Sequence, residues 1–138
     1  MQTMQNTACG ISREQAETLL AAAEQAAGRA YAPYSGFCVG AAILLADGGI
    51  MTGCNVENAS YGATVCAERV AVWAAVAAGR LGKDVPPRAI AVTALPCALC
   101  LQVLAEFAGD TLPVLLRDDD GIRVLRLGEL LPYTFRLD

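Results

Sequence analysis

The stretches Val65-Cys-Ala-Glu-Arg69 and Pro96-Cys-Ala-Leu-Cys100 supply three thiols, one carboxyl group and one guanidinium group to what we expect to be the beginnings of two helices. Three thiolates can occupy three corners of a zinc tetrahedron, and a fourth corner left to water makes such a site catalytic instead of structural. The chain contains no histidine, so a metal site must be built from cysteine and carboxylate ligands. We therefore predict a zinc site formed by Cys66, Cys97 and Cys100.

Glu68 and Arg69 follow the first of these cysteines within one helical turn. Because histidine is absent, a general base must be an aspartate or a glutamate, and Glu68 is placed near the predicted open corner of the metal. Three thiolates on Zn²⁺ leave a net charge of about −1, which makes a bound water a poorer acid. The Arg69 guanidinium can donate to the sulfurs and offset that charge. We predict that Glu68 carries protons and that Arg69 supports the metal ligands.

The pair Cys97 and Cys100 is a weak signal by itself, because structural zinc sites and redox thiol pairs share its spacing. Cys-Ala-Glu at one helix start and Pro-Cys-x-x-Cys at another together match the pattern of zinc nucleobase deaminases, with cysteine in place of a histidine ligand. The combined pattern favours a deaminase. A closed structural zinc site and a thiol pair remain the alternatives.

The composition restricts the class of protein. The 138 residues suffice for one domain with a buried core. An apolar fraction of 55% with only 17% charged residues indicates either a very full core or apolar surface that is covered by other subunits, and we favour a homo-oligomer. The net charge of −4, without a basic run, argues against a nucleic-acid partner. A small-molecule substrate fits this composition better.

The sequence also carries signals about its compartment. No stretch reaches the roughly 18 apolar residues of a membrane helix, and residues 1–10 lack the features of a signal peptide. We therefore expect a cytoplasmic protein without a membrane partner. In a reducing compartment the six cysteines act as metal ligands or small buried residues, not as disulfides. Cys9 receives no role, and Cys38 and Cys54 are expected to face the core.

The hydrophobic pattern predicts the element order α-β-β-α-β-α-β-β in a single domain 11–138, which follows a flexible segment 1–10. The predicted elements are a helix from 12 to 28, a hairpin of strands 39–45 and 50–55, a helix 65–78, a strand 89–93, a helix 96–109, and strands 112–116 and 122–127. This order predicts one mixed sheet with helices on its faces, in which the middle βαβ units supply parallel pairs.

Helix boundaries are marked by residues typical of helix caps. Ser12 and Gln15 form a predicted capping box at the start of the first helix. Thr64 is expected to cap the helix 65–78, which is apolar nearly all round and should be buried. Pro96 is expected to be the first residue of the next helix.

From about Tyr31 to Phe135 the sequence resembles the small homotetrameric cytidine deaminases. The segments that carry the resemblance are Tyr31-Ala-Pro-Tyr-Ser, Phe37-Cys-Val-Gly-Ala-Ala, Gly53-Cys-Asn-Val-Glu-Asn-Ala-Ser-Tyr-Gly, Val65-Cys-Ala-Glu-Arg, Pro96-Cys-Ala-Leu-Cys, Gln102-Val-Leu-Ala-Glu-Phe and Glu129-Leu-Leu-Pro. The resemblance implies a three-layer α/β/α fold with a mixed five-stranded sheet, one Zn²⁺ per subunit, and a homotetramer whose sites are completed by neighbouring subunits. The implied reaction, a step of pyrimidine salvage, converts cytidine or 2′-deoxycytidine to uridine or 2′-deoxyuridine and releases ammonia.

The resemblance also implies roles for individual residues. These are zinc binding by Cys66, Cys97 and Cys100, proton transfer by Glu68, contact with the ribose hydroxyl by Asn55 and Glu57, a wall of the nucleoside pocket by Phe37, contact of the Ala67 backbone with the pyrimidine carbonyl, and contact of Phe135 with the site of a neighbouring subunit. Without the resemblance, Asn55 and Glu57 are equally well ordinary turn residues. Phe37 and Phe135 are then core or interface aromatics.

The sequence departs from these relatives at two places beside the predicted zinc site. Relatives read Cys-Gly-Ala-Cys-Arg-Gln where this chain reads Cys97-Ala-Leu-Cys-Leu-Gln102, so Leu101 replaces a second arginine and Arg69 balances the site alone. The connection from Thr93 to Pro96 is several residues shorter, and we expect it to open the pocket to a cytidine analogue or a substituted amine. The alternative functions are the same chemistry on a modified cytosine nucleoside or another aminated heterocycle, and a non-catalytic module with structural zinc.

Overall fold

The computed structural model describes residues 2–3 and 10–137, which form one mixed sheet with helices on both faces. The strands are β1 (Gln2–Thr3), β2 (Gly40–Leu44), β3 (Ile50–Cys54), β4 (Ala89–Val92), β5 (Pro113–Asp118) and β6 (Gly121–Arg126). The helices are α1 (Arg13–Ala27), α2 (Ala67–Ala77), α3 (Ala98–Ala105) and α4 (Leu127–Leu130), with a 3₁₀ turn at Tyr61–Ala63. The strand order is β1-β6-β5-β4-β2-β3. The predicted α/β fold with five principal strands is confirmed, and the two-residue β1 extends the sheet at one edge.

Two hairpins form the two halves of the sheet. β2 and β3 pair antiparallel over the full five residues of each strand. Their turn contains Gly48 at φ +87°, a left-handed conformation that glycine adopts without strain. β5 and β6 form the second hairpin, which turns at Gly121 with φ +119°.

β4 joins the two hairpins, because it pairs antiparallel with β2 and parallel with β5. α3 forms the crossover between these parallel neighbours, as a βαβ unit requires. The prediction of a second parallel pair is wrong within the described residues, since β2 lies between β3 and β4. β3 and β4 nevertheless run in the same direction. The C-terminal ends of β3 and β4 therefore lie at the same end of the sheet, and α2 and α3 begin there.

Alternate residues of β2 face opposite sides of the sheet and belong to two buried clusters. Ala42 and Leu44 pack in the cluster that includes Leu19 of α1. Ala41 and Ile43 pack in the cluster that includes buried residues of α2 and α3. The result is the predicted three-layer arrangement, with α1 on one face and the two cysteine-bearing helices on the other.

Two glycines of the first hairpin allow helix backbones to approach the sheet closely. A Cβ atom added to Gly40 would lie 2.5 Å from the backbone nitrogen of Ala27 in α1. A Cβ atom added to Gly53 would lie 2.5 Å from the backbone nitrogen of Ala71 and nearer still to the carbonyl oxygen of Ala67 in α2. Because neither neighbour is a flexible side chain, only glycine fits at these positions. Gly53 therefore determines how closely the first turn of α2 packs on the sheet.

Two predicted helix starts are wrong by about one half-turn. Cys66, not Thr64, is the N-cap of α2, and the Thr64 hydroxyl instead accepts a hydrogen bond from the backbone N–H of Asn58. The backbone of Val65 pairs with Val56 as an isolated bridge, so the chain is still extended one residue after the predicted cap. The N-cap of α3 is a cysteine as well, and Pro96 precedes that helix.

α2 is not buried all round, which corrects a further prediction. Its inner side, with Ala71 and Ala75, packs on the sheet. Trp73 is 50% exposed and Val76 is also exposed, because the sheet covers only one side of the helix. The outer side of α2 is therefore apolar and uncovered in the single chain.

The N-terminal segment is described in part. Gln2 and Thr3 pair with β6, where the sequence predicted no strand. Cys9 and most of the predicted flexible segment 1–10 lie outside the described residues. In the ranges that the structure describes, no helix combines the length and apolar character needed to cross a membrane.

The close contact at Gly53 generates a stability prediction. We expect Gly53→Ala to lower the free energy of unfolding by about 2 kcal/mol, because the added methyl group must displace the α2 backbone. Urea denaturation at fixed protein concentration measures the change. Gly82→Ala is the matched control, since nothing lies within 4 Å of a Cβ added there. Equal stabilities of the two variants would contradict the prediction.

Candidate active site

Three cysteine thiols converge where α2 and α3 begin. Cys66 is the N-cap of α2, Cys97 is the N-cap of α3, and Cys100 lies in the first turn of α3. The three sulfur atoms lie within 4.8 Å of one another, and the Cys97 and Cys100 sulfurs are 3.4 Å apart. Thiolates around a tetrahedral zinc ion lie about 3.8 Å apart. The residues present therefore fit a zinc ion that is bound by three cysteines.

The beginnings of the two helices stabilise negative charge on these sulfurs. The backbone N–H of Cys100 donates to the Cys97 sulfur at 3.4 Å. Burial raises the pKa of the Cys97 thiol, but hydrogen bonds, led by that N–H, outweigh burial and leave this pKa lowered. Burial and the nearby Glu68 carboxylate raise the pKa of the Cys100 thiol. A bound cation reverses the second effect, because a coordinating thiol is deprotonated.

Arg69 is the guanidinium group beside the thiols. Its Nη2 donates to the Cys66 sulfur at 3.5 Å, and its guanidinium carbon lies 5.9 Å from the centre of the Trp73 ring. The Cys66 sulfur, more than any other group, raises the pKa of Arg69. The Nε atom of Arg69 is buried without a hydrogen-bond partner. The Nε–H group of Arg69 is therefore available as a hydrogen-bond donor. Thiolates that bind a metal carry more negative charge than neutral thiols and would be suitable acceptors for it.

Glu68 is buried next to the thiol cluster. It lies in the first turn of α2 and is only 3% exposed. Burial raises the pKa of its carboxyl group and outweighs the opposing hydrogen bonds from the backbone and Cys100. Of the described residues, Glu68 and Asn55 are the two polar or charged residues that are buried. A raised pKa makes the carboxyl group a better proton acceptor than an exposed glutamate, which suits a group that carries protons.

Asn55 and Glu57 organise the loop that precedes β2. The Asn55 side chain accepts from the Val39 N–H at 2.8 Å and donates to the Phe37 carbonyl at 2.9 Å. Glu57 accepts from the backbone N–H groups of Tyr34 at 2.9 Å and the following serine at 3.1 Å. The two residues predicted to contact ribose are thus brought to one loop, which they hold together.

Ser35 is a residue of this loop that the sequence analysis missed. Its hydroxyl group donates to the Glu57 carboxylate and accepts from the Phe37 N–H at 3.0 Å. The Ser35 hydroxyl is the largest of the interactions that lower the pKa of Glu57. The turn-forming Tyr34-Ser35-Gly36 run was the available signal, but a turn alone does not show which carboxylate its serine meets.

The other predicted substrate residues lie in different surroundings. Ala67 is fully buried as a whole residue, and it is the first residue of α2. Phe37 is 62% exposed and Phe135 is 69% exposed, so neither is a core aromatic. Leu101 is buried in the core cluster that also contains Ala67. The side chain after Cys100 is therefore directed into the protein, and Arg69 is the guanidinium that contacts the sulfurs.

The two remaining described cysteines do not both face the core. Cys38 is exposed, which contradicts the prediction, and Cys54 is half-buried. Gly40, two residues after Cys38, lies against Ala27, the last residue of α1. Cys38 precedes β2, in the exposed loop that also contains residues 35–37, which explains why it is not part of the core.

The fold and the thiol cluster together define a class of protein, the zinc-dependent hydrolases that carry their metal at adjacent helix starts. A family model described as the cytidine and deoxycytidylate deaminase zinc-binding region matches residues 13–116. The chain belongs to the cytidine and deoxycytidylate deaminase family, and its cofactor is zinc.

Individual relatives agree with this family. A cytidine deaminase of Mycobacterium tuberculosis is 48% identical over 118 residues, which cover 84% of this chain and 86% of the relative. A cytidine deaminase of Sporosarcina psychrophila is 43% identical over 126 residues, with 86% and 90% covered. The crystal structure of cytidine deaminase from Burkholderia pseudomallei superimposes with a TM-score of 0.77 at 44% identity, covering 86% of this chain and 98% of that chain.

The contact between Ser35 and Glu57 generates a prediction about pH. Glu57 has a folded-state pKa below its ordinary value of 4.5, so its stabilising contribution is present above that value and is lost as pH falls through the lower pKa. We expect Ser35→Ala to raise the pKa of Glu57 toward 4.5, because the largest stabilising hydrogen bond is removed. Titration of the side-chain carboxyl signal by NMR measures this pKa. Ser60→Ala is the control, and equal Glu57 pKa values in both variants would contradict the assignment.

Proposed function

We propose that this chain catalyses the hydrolytic deamination of cytidine and 2′-deoxycytidine to the corresponding uridines, with release of ammonia. One observation carries the proposal: the buried carboxyl group of Glu68 lies beside three converging cysteine thiols. A closed structural zinc site has no need of a buried carboxyl group next to its ligands. Membership of the deaminase family supports the same reaction.

Cys66, Cys97 and Cys100 would hold the zinc ion, which when bound supplies a water molecule activated for attack on the ring. With three cysteine ligands, a fourth position would be left to that water. Arg69 contributes a positive charge at the Cys66 sulfur and has a further unused donor at Nε. This charge offsets the excess negative charge of three thiolates and keeps the site able to activate water.

Glu68 moves the protons that the reaction requires. In the net reaction a C–O bond forms at C4 of the cytosine ring, the bond from C4 to the exocyclic nitrogen breaks, and ammonia leaves. Glu68 accepts a proton from the attacking water and delivers it to the ring nitrogen N3; it then takes the proton of the new C4 hydroxyl group and passes it to the leaving amine, so that the C4 carbonyl forms as ammonia leaves. Burial supports this role, because it raises the pKa of the carboxyl group toward the working pH.

Asn55, Glu57, Phe37 and the Ala67 backbone form the proposed nucleoside site. Asn55 uses one hydrogen of its Nδ2 group for the Phe37 carbonyl, which leaves a second donor for a ribose hydroxyl. The Glu57 carboxylate is held in place by three donors and keeps lone pairs free to accept from the same hydroxyl. The exposed Phe37 ring offers an apolar wall, and the Ala67 N–H lies at the beginning of α2.

The active form is proposed to be a homotetramer in the cytoplasm, with Phe135 completing the site of a neighbouring subunit. Large apolar side chains that the single chain leaves exposed support association; these include Trp73, Val76, Leu95, Leu99, Tyr133 and Phe135. A reducing compartment is supported by the described cysteines, which are all unpaired. Sedimentation velocity of the zinc-loaded protein tests the assembly, and a monomer at micromolar concentration would contradict it.

The role of Glu68 is tested by replacing its carboxyl group with an amide. We expect Glu68→Gln to lower kcat for cytidine by at least about 100-fold, because the amide cannot carry the proton. The decrease in cytosine ultraviolet absorption measures turnover. Glu14→Gln on α1 is the control, since Glu14 lies in the first turn of a helix on the opposite face of the sheet.

Zinc content and folding of the Glu68→Gln variant should match those of the wild type, because the carboxyl group is not a metal ligand in this proposal. A variant that keeps wild-type turnover would exclude Glu68 as the proton carrier. A wild-type protein that binds zinc but leaves cytidine and deoxycytidine unchanged would contradict the proposal and leave two alternatives, the same chemistry on a modified cytosine nucleoside or other aminated heterocycle, and a non-catalytic zinc module. Turnover of cytidine by the wild type distinguishes these two outcomes, because it is present in the first and absent in the second.

A further inference from the structure

The C-terminal segment 131–137 is attached to α3 and presents apolar side chains to solvent. Tyr133, Phe135 and Leu137 are exposed, whereas the intervening Thr134 is half-buried and Arg136 reaches α3. Large apolar side chains at alternating positions on a fixed segment are not expected of a surface that remains in water. Two sets of hydrogen bonds fix this segment on the protein.

The side chain of Gln102 holds the backbone of Phe135 from two sides. Its Nε2 group donates to the Phe135 carbonyl at 2.7 Å, and its Oε1 atom accepts from the Phe135 N–H at 3.4 Å. The donor and the acceptor of the Gln102 amide therefore both bond to a single residue of the C-terminal segment 131–137, which we call the tail. A pair of hydrogen bonds of this kind fixes the direction of the backbone, and with it the direction in which the Phe135 ring projects.

Arg136 forms the second attachment. Its guanidinium group donates to the carbonyl oxygens of Ala105 at 3.2 Å and Ala108 at 3.1 Å. Ala105 is the last residue of α3, where carbonyl oxygens lack helical partners and carry partial negative charge, and Ala108 lies three residues beyond the helix. The same guanidinium donates to the Thr134 hydroxyl at 2.8 Å and contacts Asp110 at 3.4 Å. The C-terminal segment is thus attached to the rest of the protein at Phe135 and at the residue that follows it.

We propose that Gln102 and Arg136 are positioning residues that hold Phe135 so that a second copy of this chain receives its ring as part of the nucleoside site. The inference rests on the proposed function, in which Phe135 completes a neighbouring site. α3 begins with two thiols of its own metal cluster, at Cys97 and Cys100, and its later residues carry the tail. One helix therefore orders the metal site of its own subunit and presents an aromatic ring to its neighbour.

A double-mutant cycle tests whether Gln102 acts through Phe135. The zinc-loaded full chain is compared as wild type, Gln102→Leu, Phe135→Ala and the double variant, with cytidine as substrate. Leucine is similar in size to glutamine but cannot form either hydrogen bond. We expect each single variant to raise KM several-fold with a smaller change in kcat, and the double variant to show no further increase.

Two results would overturn the inference. A wild-type KM in Gln102→Leu would show that the two hydrogen bonds between Gln102 and the Phe135 backbone, the Gln102 clamp, do not position Phe135. KM increases that multiply in the double variant would show that Gln102 acts independently of the ring. Gln25→Leu on the exposed side of α1 is the matched control and should leave KM unchanged.

Hydrogen exchange gives a second measurement that does not depend on turnover. Amides of the C-terminal peptide should lose protection in Gln102→Leu and keep it in Gln25→Leu, because Phe135 loses the acceptor of its N–H. Unchanged protection in Gln102→Leu would overturn the clamp. If the wild type fails to deaminate cytidine, the proposed function fails, and the exchange result then decides whether the clamp itself exists.

Discussion

The constraint on which the structure depends is the placement of three thiols within 4.8 Å of one another. Thiolates at that distance repel, so the site needs positive charge that does not depend on solvent. The chain supplies it from two helix N-termini and from Arg69, which lies in the first turn of α2. A divalent cation supplies the remainder, which explains why metal binding and folding are coupled in sites of this kind.

The order and direction of the strands bring the N-termini of α2 and α3 together. β3 and β4 run in the same direction with β2 between them, so α2 and α3 begin at the same sheet edge. The small residues of the first hairpin then determine how closely the helices pack. Gly53 allows the α2 backbone to rest on the sheet at the turn that carries Glu68. The position of the carboxyl group is therefore set by a residue that has no side chain.

Much of this arrangement could be predicted from the sequence, because the signals are local. The cysteine spacings, the absence of histidine, and the capping box at Ser12 and Gln15 each follow from a few neighbouring residues, and the structure contains that box. The start of α2 was misplaced because the bridge between Val56 and Val65 is not visible in a local pattern. The contact between Gln102 and Phe135 spans 33 residues and joins a side chain to a backbone, so it cannot be predicted from a local or periodic sequence pattern.

The central claim is that three cysteines leave the metal an open position beside Glu68. Zinc K-edge X-ray absorption of the zinc-loaded protein tests this claim most directly, because it counts ligands by element. We expect three sulfur ligands at about 2.3 Å and one oxygen or nitrogen ligand at about 2.0 to 2.2 Å. Four sulfur ligands would mean a closed structural site and would contradict the account, as would a protein that retains no zinc.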